Sequence, residues 1–219
     1  MKKIIGILSF CLMALFYVVP ANSADYGYGV TLHLGTYETD GSETEKTVSG
    51  VTSEKTTKSI EESFYGASLY VERKFDNGFV LGLDYVPMDF ELGSGKRTDV
   101  DGDGGTTGSQ AADTDDGDRS AQADISNLIT IYAHVPVGPA YVLLGYHDAD
   151  ITTSETLPTS TYGDASVNGY QVGLGIKNDN VKFEVAYSDF DDISLTSSAN
   201  TNKIAASADA LSARLSFGF

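Results

Sequence analysis

Two-residue periodicity constrains this chain more than any other feature. Beyond its first residues the sequence breaks into eight stretches in which apolar side chains fall on every second position, the signature of a strand with one oily and one small or polar face. Tyr26, Tyr28, Val30, Leu32 and Leu34 alternate with Gly27, Gly29, Thr31, His33 and Gly35. Tyr65, Ala67, Leu69 and Val71 alternate with Gly66, Ser68, Tyr70 and Glu72, and Phe79, Leu81, Leu83 and Tyr85 with Val80, Gly82, Asp84 and Val86. The fourth stretch puts Ile125, Ile129, Ile131, Ala133 and Val135 on one face. The fifth is ambiguous in phase, with Val142, Leu144 and Tyr146 assigned outward. Tyr170, Val172, Leu174 and Ile176, then Val181, Phe183, Val185 and Tyr187, and finally Leu211, Ala213, Leu215, Phe217 and Phe219 complete the set.

The connections between these stretches alternate in length. "DNG" (76–78), "PVGPA" (136–140) and "NDN" (178–180) are tight hairpin turns. Long polar stretches around 38–63, 92–122, 149–166 and 189–206 make the other four connections. A soluble sandwich has no reason to separate short turns from long loops in this way. A membrane barrel does, because one set of turns lies on the periplasmic side and the other faces the medium. The aromatic residues are sorted in the same sense: Tyr26, Tyr28, Phe75, Phe79, Phe217 and Phe219 toward the tight turns, Tyr65, Tyr85, Tyr146 and Tyr170 toward the long loops. Two aromatic girdles around an aliphatic band are what two membrane interfaces select.

The N-terminus agrees. Residues 1–24 read as a secretory signal, with Lys2 and Lys3, an apolar run from Ile4 to Val19, then Pro20 and small residues; cleavage after Ser23 and after Ala24 both fit. Residues 25–219 form one barrel domain. Cys11, the single cysteine, lies inside the apolar run, so disulfides contribute nothing to the domain. The net charge of −17 argues against nucleic acid as a partner and suits a surface that attracts cations.

The ending "ALSARLSFGF" resembles the C-terminal strand of Gram-negative outer-membrane proteins, in which a terminal Phe, here Phe219, is read by the barrel-assembly machinery. Together with the signal, the eight strands and Gly-rich segments such as "GYQVGLGIK", it makes the chain similar to the small OmpA/OmpX-type barrel superfamily. The resemblance implies an all-β, eight-stranded antiparallel up-and-down transmembrane barrel with both termini periplasmic. Its expected partners are outer-membrane lipid, lipopolysaccharide and the assembly machinery. A periplasmic peptidoglycan-binding domain is missing, so anchoring to the cell wall is not implied.

Three groups of residues carry candidate chemistry. Glu72, Asp84, Lys177, Lys182, Glu184 and Arg214 fall on the inward face, where an eight-stranded barrel leaves room for little beyond side chains. Charges there must pair or cost several kcal/mol each, and Glu184 and Arg214 sit at similar depth on neighbouring strands. They are expected to form an ion-paired plug, with a gated conductive path as the alternative. Asp99, Asp101 and Asp103 with Gly104 match the first half of a calcium loop, but Gln110 stands where a bidentate Glu is needed. A solvated acidic loop without a cofactor is expected, weak calcium binding being the alternative. Of His33, His134 and His147, only His147, with Asp148 and Asp150 nearby, suggests a base beside a carboxylate.

The functional expectation is therefore a structural, surface-displaying barrel with acidic loops, not an enzyme. The alternative is a narrow channel for ions or small solutes, with an outer-membrane enzyme as a distant third. The inward glycines Gly27, Gly29, Gly82, Gly173 and Gly175 favour the channel, because they leave space in the lumen.

Overall fold

The computed structural model describes residues 25–46, 52–99, 117–156, 161–198 and 203–219. The described residues contain nine strands: β1 (Asp25–Lys46), β2 (Thr52–Lys74), β3 (Val80–Tyr85), β4 (Phe90–Asp99), β5 (Gly117–Val137), β6 (Ala140–Thr156), β7 (Ala165–Asn178), β8 (Val181–Thr196) and β9 (Lys203–Gly218). The signal sequence expected over residues 1–24 lies outside the described residues.

Every neighbouring pair is antiparallel, and the ring closes. β1 pairs with β2 on one side and β9 on the other, and the order continues through β8, β7, β6 and β5 to β3, which returns to β2. The Phe219 amide completes the seam by donating to the Tyr28 carbonyl at 2.9 Å. β3 and β4 are two halves of one barrel strand. Pro87 has no N–H to give a ladder, and residues 86–89 leave the sheet before β4 resumes against β5. Counted as staves, the barrel has the expected eight. Asp25, Phe219 and the three tight turns share one end.

The expected faces hold almost throughout. Leu34, Tyr65, Leu174 and Phe219 are exposed on the outside, while Thr31, Ser68, Asp84, Glu184 and Ser216 are buried within. An oily exterior around a polar interior inverts the soluble arrangement and is what a lipid solvent dictates. The girdles are in place, with Tyr146 and Tyr170 meeting edge to face at 5.4 Å on the loop side. The fifth stretch takes the phase assigned to it, Leu144 outward and Leu143 at 0% exposure.

Two expectations are overturned. Ile125 faces inward, at 6% exposure, because the ladder between β5 and β6 carries a bulge between Ser126 and Ile129 where Asn127 takes φ 52°. One extra residue on one strand reverses every side chain beyond it. Matching bulges lie at Glu91/Gly93 on β4 and Phe190/Ile193 on β8. Where described, the long polar stretches are also largely strand and not loop: β1 runs on to Lys46 and β2 starts at Thr52, so the hairpin rises well beyond the Tyr65 girdle. Thr and Ser alternate there with charged residues, giving a strand wet on both faces and held by its ladder.

The interior has two apolar layers separated by a polar one. Tyr70, Val80, Tyr132, Leu143 and Ala186 pack near the tight turns. Leu92, Ile125, Ala149, Ile151 and Val167 pack toward the loops, with Phe190 and Ile193 against them. The bulges create the second layer by turning Ile125 and Ile193 inward.

Candidate functional site

The inward charges fall into two groups, each built around carboxylates from facing walls. In the lower group, Lys182 of β8 donates to Glu72 of β2 at 2.6 Å, and Tyr132 of β5 donates to the same carboxylate oxygen at 3.0 Å. The Lys182 ammonium also sits 3.8 Å from the centroid of the Tyr70 ring, a cation–π contact in a desolvated setting. Lys177 approaches Glu72 at 3.5 Å but from the rim, where its side chain remains 39% exposed.

The upper group centres on Arg214 of β9. Its Nη2 lies 3.3 Å from Asp84 Oδ2, its Nε 3.4 Å from Glu184 Oε2, and its Nη1 donates to Gln171 Oε1 at 2.9 Å. The Nε–Glu184 contact is an ion pair without hydrogen-bond geometry. Glu184 and Arg214 are directly opposed in the β8–β9 ladder, as their depth in the sequence suggested. The carboxylates are held from their other sides too: Ser68 donates to Asp84 at 2.8 Å, Tyr141 donates to Glu184 at 2.9 Å, and His134 Nε2 lies 3.1 Å from the same Glu184 oxygen. Three carboxylates thus meet three cations, each with polar partners beyond its counter-charge. Buried charge is tolerated under that condition.

All six sequence-derived lumen residues join these two groups, with Lys177 at the rim. Sequence reasoning missed Tyr132, Tyr141, His134, Gln171 and Ser68. The missed signal lay in the cross-strand register. Gly29 faces Tyr70, Gly82 faces Tyr132 and Gly175 faces Tyr141. Each ring lies across its glycine, so a Cβ at Gly29 would stand 2.8 Å from the Tyr70 ring, and one at Gly82 or Gly175 would collide with Tyr132 or Tyr141. The glycines read as free space are seats for tyrosines. The inference toward an open lumen therefore reverses at these three positions.

Beside the Arg214 group, His147 is fixed by both ring nitrogens, Nδ1 against Thr130 Oγ1 at 2.7 Å and Nε2 against Ser188 Oγ at 3.0 Å. Alternation turns Asp148 and Asp150 away from it, so the base–carboxylate arrangement suggested by the sequence does not form. His33 is likewise engaged, 2.8 Å from Ser68 Oγ. Asp101 and Asp103 of the acidic loop lie outside the described residues, as does the side chain of Asp99 at the end of β4. Among the described residues, no three His, Cys, Asp or Glu side chains gather as metal ligands.

Over Arg214 and His147 the lumen opens into a chamber of about 80 Å³. Phe64, Val86, Phe90, Leu92, Ile125 and Phe190 form its sides. Beyond the loop-side girdle, Tyr37 donates to Glu62 at 3.3 Å, and partial burial with the nearby Glu62 charge pushes its phenol up to about 12.

No protein-family model matches the sequence, and no curated protein matches it. Among solved structures, the chain is similar to several outer-membrane proteins. The outer membrane protease OmpT from Escherichia coli is 10% identical, with 88% of this chain and 97% of that chain covered and a TM-score of 0.48. The outer membrane protein OprG from Pseudomonas aeruginosa is 16% identical over 87% and 96%, with a TM-score of 0.47. Neisserial surface protein A is 12% identical over 90% and 100%, with a TM-score of 0.39. At these identities the likeness concerns the path of the strands and brings no activity with it.

Proposed function

We propose that this chain, a small β-barrel of the outer-membrane kind, serves as a non-conducting anchor that holds an acidic, strand-built rim above the bacterial outer membrane. The observation that carries this reading is the plug. Two ion-paired layers, Glu72–Lys182 and Arg214 with Asp84 and Glu184, cross a lumen that the Tyr132 and Tyr141 rings already narrow. An ion entering from either end meets fixed, mutually satisfied charges. The alternative of a narrow ion channel needs that network to re-pair.

In this reading the tight turns, Asp25 and Phe219 face the periplasm, and Phe219 serves as the mark read by the assembly machinery. Its ring, 73% exposed at the base of the closing seam, is available for that purpose. The rim carries Glu38, Asp40, Glu43, Glu61 and Glu62 on the projecting β1–β2 hairpin. Carboxylates at that height meet the divalent cations that bridge lipopolysaccharide phosphates, or a basic partner. Planar-bilayer recording of the refolded protein tests the plug: verified insertion with a silent trace is expected, and steady ionic steps would replace the anchor with a pore.

A further inference from the structure

We propose that the chamber above Arg214 is a binding site for a small, mainly apolar molecule with one neutral hydrogen-bonding head, reached from the outer leaflet through the seam between β2 and β4. Along the barrel axis the chamber lies between a charged layer and an apolar one. Below lies the Arg214–Asp84–Glu184 network, and above lies the layer of Leu92, Ile125, Ile151 and Val167. Its sides are mostly aromatic and aliphatic, with Glu91 and Asp209 also on the lining, and its floor offers Thr130, Gln171 and Ser188. The floor's charges are already matched to each other, so a neutral hydroxyl suits it where a carboxylate would bring an unmatched charge. The inference does not depend on whether the barrel conducts.

The lateral route follows from the split strand. The β2–β3 ladder ends at Leu69↔Tyr85, and beyond it, among the described residues, β2 is paired with β1 alone and β4 with β5 alone. Side chains fill the seam in place of hydrogen bonds. Phe90 lies over Gly66, where a Cβ would stand 2.7 Å from the ring and 3.1 Å from Met88 Sδ; Ile60 lies over Gly93, with a corresponding distance of 2.9 Å. Phe64 meets Phe90 edge to face at 5.5 Å. A backbone ladder opens only by breaking a row of hydrogen bonds, but a side chain over glycine opens by a rotamer change. The seam begins at the Tyr65 and Tyr85 girdle, where apolar solutes leave the acyl region. At about 80 Å³ the chamber is smaller than the roughly 150 Å³ cavity that accepts benzene. A single-ring guest therefore has to displace the Phe90 ring, which couples binding to opening of the seam.

Para-fluorophenol, followed by fluorine NMR against the refolded full barrel in micelles, tests both parts. The wild type is expected to show a saturable shift distinct from micelle partitioning. Ala210→Phe, which fills the chamber from β9 without touching the ion pairs, should weaken that component about tenfold or more; Ala208→Leu replaces it if that barrel does not fold. Gly66→Ala and Phe90→Ala, which dislodge or remove the ring that forms the chamber wall at the seam, should keep saturable binding over the Thr130, Gln171 and Ser188 floor and speed exchange by about threefold or more. No saturable component in folded wild type, or one unchanged by filling the chamber, overturns the site. Saturable binding with exchange rates unmoved by both seam variants overturns the lateral route.

Discussion

Arg214→Met isolates what the Arg214 network contributes, because methionine keeps most of the buried stem and deletes only the guanidinium. Lost with it are the contacts to Asp84 at 3.3 Å, to Glu184 at 3.4 Å and to Gln171 at 2.9 Å. Two carboxylates that are each 2% exposed are then left without their shared cation. At an effective dielectric near 20, each such pair is worth about 5 kcal/mol of Coulomb attraction. Much of that is offset because the guanidinium's own desolvation cost disappears with it. Ser68, Tyr141 and His134 still hold the carboxylates, so the net loss falls at about 3–5 kcal/mol, the range for breaking a buried pair from one side. The assay is urea unfolding in lipid vesicles, read by far-ultraviolet circular dichroism. Adding Asp84→Asn and Glu184→Gln to Arg214→Met removes the stranded charges and should recover about 1 kcal/mol or more. Conductance should stay silent, since the Lys182–Glu72 layer is untouched. A single-variant loss below about 1 kcal/mol, or no recovery in the triple variant, would refute the claim that Arg214 neutralises both acids inside a dry lumen.

Four further outcomes follow from the packing. Gly82→Ala should cost about 1–3 kcal/mol by overpacking against Tyr132, with most of the loss relieved in a Tyr132→Leu background, as urea midpoints would show. Leu143→Ala, at a fully buried position, should cost about 2–5 kcal/mol in the same measurement. Residues 25–219 contain no cysteine, so single cysteines report facing: Ile129→Cys should react with a lipid-soluble maleimide, whereas Ile125→Cys should be protected. The Tyr37 phenol, raised by burial and by Glu62, keeps its proton above the ordinary tyrosine range. Its contribution is therefore complete below about pH 10 and lost as pH rises toward about 12; the ultraviolet titration difference between wild type and Tyr37→Phe should place this phenol's midpoint there.

Much of this architecture is written in the sequence because a lipid solvent leaves few choices. Leu32, Leu34, Val172 and Leu174 have to face outward once every second residue is apolar, and turns such as "NDN" fix which ends pair. Glu184 and Arg214 could be matched because both lie on regular strands at equal distance from the same turn-side rim. Ile125 could not be placed, since a bulge is a one-residue event and Asn127 carries no mark that distinguishes it from any polar strand residue. The tyrosine–glycine seats were hidden for a related reason: Gly82 and Tyr132 meet only when the register between two distant strands is known. Alternation alone passed over Pro87, and its consequence lay across the sheet, in a ladder that β2 and β4 do not make among the described residues.

That missing ladder also makes the wall mechanically uneven. From Gly29 to Thr44 the β1–β9 joint is bonded continuously, whereas the β2–β3 joint is bonded only from Leu69 to Lys74. A thin cylinder squeezed from the side yields along its least-bonded generator. Lateral pressure in a surrounding bilayer would therefore load one stave boundary before any other, and amide hydrogen exchange along β4 should respond to bilayer stiffness while that along β9 does not.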